Sequence, residues 1–142
     1  MPAEPTAEAE KAARHFYDAL STGDLGLVDE SLAPTWEQIP ASGHTSPGAT
    51  GWKETIGFLR TVFPDIRVTV EDLIVSGDTV AVRTLTRGTH SAELMGIPAT
   101  GRTVEFRSAD FHRVKQGRIT QSYNLDDYFG MLTQLGATFT VS

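Results

Sequence analysis

The sequence predicts an α+β fold in which a curved, mainly antiparallel sheet wraps around a long N-terminal helix and forms a cone, which either fills with side chains or opens as an internal pocket. Helical periodicity comes first, period-two alternation takes over after Asp65, and a short helical segment follows. Helices first and strands second indicate an antiparallel meander, because parallel βαβ folds alternate the two. The 142 residues fit one domain over 1–142.

Apolar residues at helical spacing predict the first helix over about 6–20, and Gly23 suits its end. A short second helix follows Asp24. Residues 33–51 are rich in Pro, Ser, Gly and Thr, so they are predicted to be a loop. A third helix over about 50–63 has Trp52 and Ile56 on its apolar face, and Pro64 ends it.

Four strands are predicted from alternation and turn signals. They cover about 66–75, 79–90, 103–114 and 118–125, with turns at Ser76-Gly77-Asp78 and Gln116-Gly117. A last helix is predicted from Asp127 to Leu135, with its end at Gly136. The segment between the second and third strands is too long for a plain hairpin turn, so we expect it to pack on the scaffold and help shape a site.

Composition excludes several functions. The net charge is −6 and the twelve Lys and Arg residues are scattered, so neither nucleic acid nor a membrane is a predicted partner. The absence of cysteine excludes disulfides and thiolate chemistry. The four histidines show no HxH or HExxH spacing, so no metal site is predicted. Without a signal peptide or a span of apolar residues, the predicted location is the cytoplasm.

Polar side chains share a strand face with core residues. Asp110 and His112 follow Phe106 on one parity, whereas Gln121 and Tyr123 follow Ile119 on the next strand, and that parity leads to Asp127. Burying an ionisable group in apolar surroundings is unfavourable unless it is paired. These strand ends therefore either emerge into solvent or line the polar end of a cavity.

Asp126 and Asp127 have a second interpretation. An aspartate directly before a helix is a good N-cap, which contributes about 1 kcal/mol. If Asp126 caps the helix, Asp127 is free to point elsewhere, and the reverse also holds. The residues alone favour capping over catalysis for this pair.

Several motifs closely resemble the SnoaL-like polyketide cyclases, or ester cyclases, of the nuclear-transport-factor-two-like superfamily. The resemblance covers roughly residues 10–137. The matching segments are Phe63-Pro64-Asp65, 77–83, Gly88-Thr89-His90, 96–102, Gly117-Arg118-Ile119, Asp127 and Gln134-Leu135-Gly136.

The resemblance implies cofactor-independent ring closure of a polyketide ester by intramolecular aldol condensation. It implies Asp127 as general acid/base, or Asp126 with a one-residue offset, and His112 as the supporting histidine. His90 matches the family's Gly-Thr-His. Together with the pocket that it implies, strand parity predicts substrate contacts from His90, Gln121, Tyr123, Phe106, Trp36 and Tyr17.

Two alternatives stay open. The same pocket could hydroxylate or hydrate a small hydrophobic molecule, or open an epoxide, with an aspartate that activates water. The chain could also be a non-catalytic ligand-binding, dimeric domain in which Asp127 only caps a helix. The predicted ligand is small and hydrophobic, and a homo-oligomer, either a dimer or a tetramer, is expected because the outward sheet parity mixes Arg83 and Arg107 with Phe111.

Overall fold

The computed structural model describes residues 5–141 and confirms the α+β class. In the described residues the elements are α1 (Pro5–Thr22), α2 (Gly26–Ser31), β1 (Leu32–Ile39), α3 (Ala49–Val62), β2 (Arg67–Ser76), β3 (Thr79–Thr89), β4 (Thr103–Lys115), β5 (Arg118–Asp126) and α4 (Tyr128–Gln134). The sheet is mixed and open, in the order β1-β5-β4-β3-β2. Among the described residues, no helix is long and apolar enough to span a membrane.

The four predicted strands are present, but β1 corrects the predicted loop over 33–51. It pairs parallel with β5, with Glu37 opposite Gln121 and Ile39 opposite Tyr123. Pro34 falls where the register shifts, and an edge strand tolerates a proline because one side needs no ladder hydrogen bonds. Since its partner lies some 80 residues later in the chain, local composition could not reveal this strand.

The core lies between α1 and the inner face of the sheet. Residues of α1 contact β2, β3, β4 and β5. Every second residue of β4 from Val104 to Val114 is buried, so this strand presents one continuous inner face that includes Asp110 and His112. Strict alternation of this kind is expected where one face of an antiparallel sheet packs on a core.

A bulge in β5 reverses the facing of the rest of that strand. Arg113 pairs with Gln121 and Val114 pairs with Ile119, which leaves Thr120 as the extra residue. One inserted residue exchanges inward and outward side chains beyond it. Ile119 is therefore buried, but Ser122 rather than Gln121 continues the inner face.

The long connection between β3 and β4 is pinned by His90. The His90 N–H donates to Arg102 O at 2.8 Å, Gly101 N–H donates to His90 O at 2.9 Å, and Thr100 N–H donates to His90 Nδ1 at 3.1 Å. A tight turn within it joins Leu94 to Ile97 through two residues with positive φ. The connection thus packs on its own scaffold, with a buried histidine as its anchor.

Candidate active site

A hollow opens between α1, α3 and the inner face of the sheet. The empty space between its walls is about 640 Å³, a figure that includes solvent at the open mouth. One side is apolar and is formed by Phe16, Leu20, Trp36, Trp52, Leu59, Ile66, Val68 and Phe106. The other side is polar and is formed by Gln38, Ser108, Asp110, Ser122, Asn124, Asp126 and Tyr128, with Tyr17, Thr55, Thr84 and Thr86 completing the wall.

Asp110 is the buried carboxylate of this hollow, and its side chain is oriented from two sides. It is 3% exposed. The Tyr17 hydroxyl donates to its Oδ2 at 2.5 Å, and Asn124 Nδ2 donates to its Oδ1 at 2.6 Å. Each carboxylate oxygen has two acceptor positions, so each keeps one for a bound molecule.

Burial raises the pKa of Asp110 to about 6. Hydrogen bonds from Tyr17 and Asn124 oppose that rise, because they stabilise the ionised form, and the charge of Asp126 adds to it. A carboxylate in this range is a better base than a free aspartate and is still ionised at neutral pH. The group can therefore take up and return a proton near pH 7.

A second carboxylate, Asp126, lies nearer the surface in the same wall. Asn124 Nδ2 bridges the two acids, because it also donates to Asp126 Oδ1 at 3.2 Å. Ser108 Oγ donates to the same oxygen. The hollow thus holds two carboxylates that share one amide, of which only Asp110 is buried.

His112 lies behind Tyr17 and is fully buried. Its Nε2 is 2.7 Å from the Tyr17 hydroxyl, and its Nδ1 is 2.6 Å from Ser122 Oγ. Burial lowers the pKa of His112 to about 3, so the ring is neutral at pH 7. His112 is not in the wall of the hollow, so it reaches the hollow through Tyr17.

Three of the predicted substrate contacts lie in the wall of the hollow: Tyr17, Trp36 and Phe106. Tyr17 is placed by the apolar face of α1, Phe106 by the inner face of β4, and Trp36 by β1. Their contact with a substrate stays a prediction.

The prediction that Asp127 faces the pocket is wrong. Asp127 is the N-cap of α4, its Oδ1 accepts the Gly130 N–H at 2.9 Å, and it is exposed outside the hollow. Capping, the alternative read from the sequence, is therefore the role its position supports. The offset alternative, Asp126, lines the hollow together with Asp110.

Gln121, Tyr123 and His90 also lie outside the hollow, contrary to prediction. The bulge at Thr120 turns Gln121 and Tyr123 to the outer face, where Tyr123 is 42% exposed. His90 is fully buried within the connection that it anchors. None of these three lines the hollow, so direct substrate contact is not supported by their positions.

Sequence reasoning left Asp110, Ser122 and Asn124 out of the predicted site. A signal for Asp110 was present, because it shares a parity with Val104 and Phe106. Ser122 and Asn124 had none, since they face inward only because of the bulge. Within residues 5–141, no group of three or more His, Asp and Glu side chains is placed to hold a metal ion.

Comparison with known proteins identifies relatives of the whole fold. The profile of the SnoaL-like polyketide cyclase family matches residues 10–135. The chain is 27% identical over 126 residues to the nogalonic acid methyl ester cyclase of Streptomyces nogalater, which covers 85% of this chain and 92% of that enzyme.

Two solved structures are similar to this chain in fold. TsrD from Streptomyces laurentii superposes with a TM-score of 0.86 at 28% identity, covering 93% of this chain and 97% of its own. IdmH from Streptomyces antibioticus, provisionally described as a polyketide cyclase, superposes with a TM-score of 0.78 at 35% identity, covering 91% and 99%.

Proposed function

This chain belongs to the SnoaL-like polyketide cyclase family, and we propose that it closes a ring in a polyketide ester by intramolecular aldol condensation, without a cofactor. The observation that carries the proposal is Asp110: a buried carboxylate, oriented by two donors, on the polar side of an apolar hollow. A relative named as a methyl ester cyclase supports the choice of an ester substrate.

The reaction needs one group that removes and returns a proton. Ionised Asp110 takes a proton from a carbon between two carbonyls, and the resulting enolate carbon attacks a second carbonyl carbon of the same molecule. The new C–C bond leaves an alkoxide, which takes the proton back from the Asp110 carboxyl, and loss of water completes the condensation. No electron leaves or enters the substrate, so the chemistry needs no redox partner.

The apolar side of the hollow would hold the reacting chain in a folded conformation. Phe106 and Trp36 offer flat surfaces, and Phe16 lies against Trp52 with parallel rings 4.3 Å apart. Positioning two reactive carbons of one molecule close together removes much of the entropic barrier to ring closure. Because these rings also exclude water, the electrostatic interactions of the Asp110 carboxylate with a bound substrate are stronger than they would be in solvent.

Asp110 rather than Asp126 is the proposed base because of its surroundings. Asp126 is more exposed than Asp110 and accepts hydrogen bonds from Ser108 and Asn124 on a single oxygen. Its position at the polar wall suits a role in orienting the ester end of the substrate. This assignment replaces Asp127, the base that the family resemblance implied.

The proposed function is tested by the product formed from nogalonic acid methyl ester, the compound in the relative's name. Ring closure gives a product with the mass of the substrate, or that mass less one water, and a changed absorption spectrum. A product that gains one oxygen would support the hydroxylase alternative instead. Ester that binds to the purified chain and is recovered unchanged would support a binding domain.

We also propose that the chain forms a homodimer through the outer face of the sheet. One apolar row crosses all five strands in register: Ile39, Tyr123, Phe111, Ala81 and Ile74. Phe111 is 53% exposed and Ile74 is 66% exposed. Such a row, flanked by charged residues, is typical of an interface, and a two-fold axis would pack the row against itself.

Light scattering after gel filtration checks the dimer. The wild-type chain is expected at twice the chain mass, and Phe111→Glu is expected to be monomeric, because a dimer would bury an unpaired charge. Phe58→Glu is the matched control, since Phe58 is equally exposed but lies on α3, away from the sheet face. A monomeric wild-type chain would contradict the proposal.

A further inference from the structure

We infer that a one-directional chain of hydrogen bonds runs from Trp36 through Ser122, His112 and Tyr17 to Asp110, and that it fixes His112 as the Nε2–H tautomer. Ser122 is a positioning residue for the Asp110 carboxylate, although no direct hydrogen bond joins the two side chains. The tautomer follows from the structure alone, whereas its effect on catalysis rests on the proposed function.

The hydrogen-bond chain is continuous and buried. Trp36 Nε1 donates to Ser122 Oγ at 3.0 Å, and Ser122 Oγ lies 2.6 Å from His112 Nδ1. His112 Nε2 lies 2.7 Å from the Tyr17 hydroxyl, which donates to Asp110 Oδ2 at 2.5 Å. All five side chains are buried, so water does not compete for these bonds.

Counting protons gives the direction. The indole N–H of Trp36 can only donate, and the ionised Asp110 carboxylate can only accept. Ser122, neutral His112 and Tyr17 each carry one proton between these two ends. Four bonds then need four protons, and the only arrangement that makes all four has every group donating towards Asp110.

The fixed direction determines what Asp110 receives. Because Ser122 donates to Nδ1, the His112 proton must lie on Nε2, where it donates to the Tyr17 oxygen and leaves the Tyr17 proton for Asp110. In the opposite tautomer, a bare Nε2 would compete with Asp110 for that proton. Burial lowers the pKa of His112 and raises the pKa of Tyr17, so at pH 7 the His112 ring stays neutral and the Tyr17 hydroxyl keeps its proton.

Other groups also act on Asp110. Asn124 and Asp126 of β5 face it in the hollow, and Tyr128 stands at the start of α4 in the same wall. None of these three side chains is hydrogen-bonded to Trp36, Ser122 or His112. A change at Ser122 therefore acts on Asp110 through His112 and Tyr17.

Long-range ¹⁵N–¹H correlation spectra of the ¹⁵N-histidine-labelled chain at pH 8 test the tautomer without an activity assay. The His112 signals are assigned through contacts with the Phe16 and Tyr17 rings, which lie 4.9 Å and 5.7 Å from the imidazole between ring centres. We expect the Nε2–H pattern in the wild type, a mixture of both tautomers in Ser122→Ala, and recovery of Nε2–H in Ser122→Thr.

An Nδ1–H tautomer or a mixture in the wild type would overturn the inference, as would an unchanged ratio in a folded Ser122→Ala variant. Where the ring-closing activity is present, Ser122→Ala should shift the acidic limb of the kcat/KM profile to higher pH by about half a unit. The pKa of Asp110 rises in this variant, because the hydrogen bond from Tyr17 to its ionised form is weakened. Ser122→Thr should restore the limb. Failure of the proposed function would remove this second readout and leave the spectra unaffected.

Discussion

Asp110→Asn is expected to lower kcat for ring closure at least about a hundredfold, the usual contribution of a general acid/base. The variant keeps the size of the side chain and its place beside Tyr17 and Asn124, but it cannot accept a proton from carbon. Single-turnover rates on the ester substrate measure the chemical step directly. A folded Asp110→Asn variant with full activity would contradict the assignment.

The matched control is Asp127→Asn. It removes the same charge from the exposed start of α4 and leaves an oxygen that can still cap the helix, so activity and stability should be close to those of the wild type. Asp110→Asn should be at least as stable as the wild type at pH 8. The pKa of Asp110 is raised in the fold, so its ionised form is less favourable there than in the unfolded chain.

The same assignment has a signature in the pH profile. Because burial raises the pKa of Asp110 to about 6 and the ionised form is the base, kcat/KM should be level above pH 6. Below pH 6 it should fall about tenfold per pH unit, as the base becomes protonated. Residual activity of Asp110→Asn should lack this limb; a limb that persists would belong to another group.

Phe16→Ala is expected to reduce the free energy of unfolding by about 3–5 kcal/mol, the range for a phenylalanine removed from a packed core. Phe16 is 6% exposed, stacks on Trp52, and lies edge-on to Tyr17 with 5.1 Å between ring centres. Its loss leaves a cavity between α1 and α3, because the neighbouring rings cannot move into the space without losing their own contacts. Urea denaturation followed by tryptophan fluorescence measures the change.

Phe58→Ala is the control for this loss. Phe58 is 52% exposed on α3, so its removal should change the free energy of unfolding by less than about 1 kcal/mol. Equal losses in the two variants would mean that the aromatic cluster does not carry the packing between α1 and α3.

Most of the fold was predictable because its patterns are local. The apolar residues of α1 repeat at helical spacing, and inward-facing residues occupy every second position of β3 and β4 over more than ten residues each. The type of each element and its inner face can therefore be predicted from the sequence. The buried positions of Tyr17 and Phe106 followed from these faces, whereas the sequence left His112 open between an exposed strand end and a cavity wall.

The candidate site was only partly predictable. The family resemblance implied a carboxylate in the pocket and pointed to Asp127, a choice supported by extending the parity of β5 from Ile119 without a break. The bulge at Thr120 shifts that parity by one residue and brings Ser122, Asn124 and Asp126 inward. Trp36 was expected at the pocket from a loop, yet it is held there by a strand that pairs with β5.

By itself, the sequence determined the four helices, the strands β2 to β5, the α+β class and the family, because periodicity and short motifs are properties of neighbouring residues. Only the tertiary structure decided which acid is sequestered and how it is held. That choice depends on pairing between distant strands and on one extra residue in β5, and a shift of one position moves a side chain to the opposite face of a sheet.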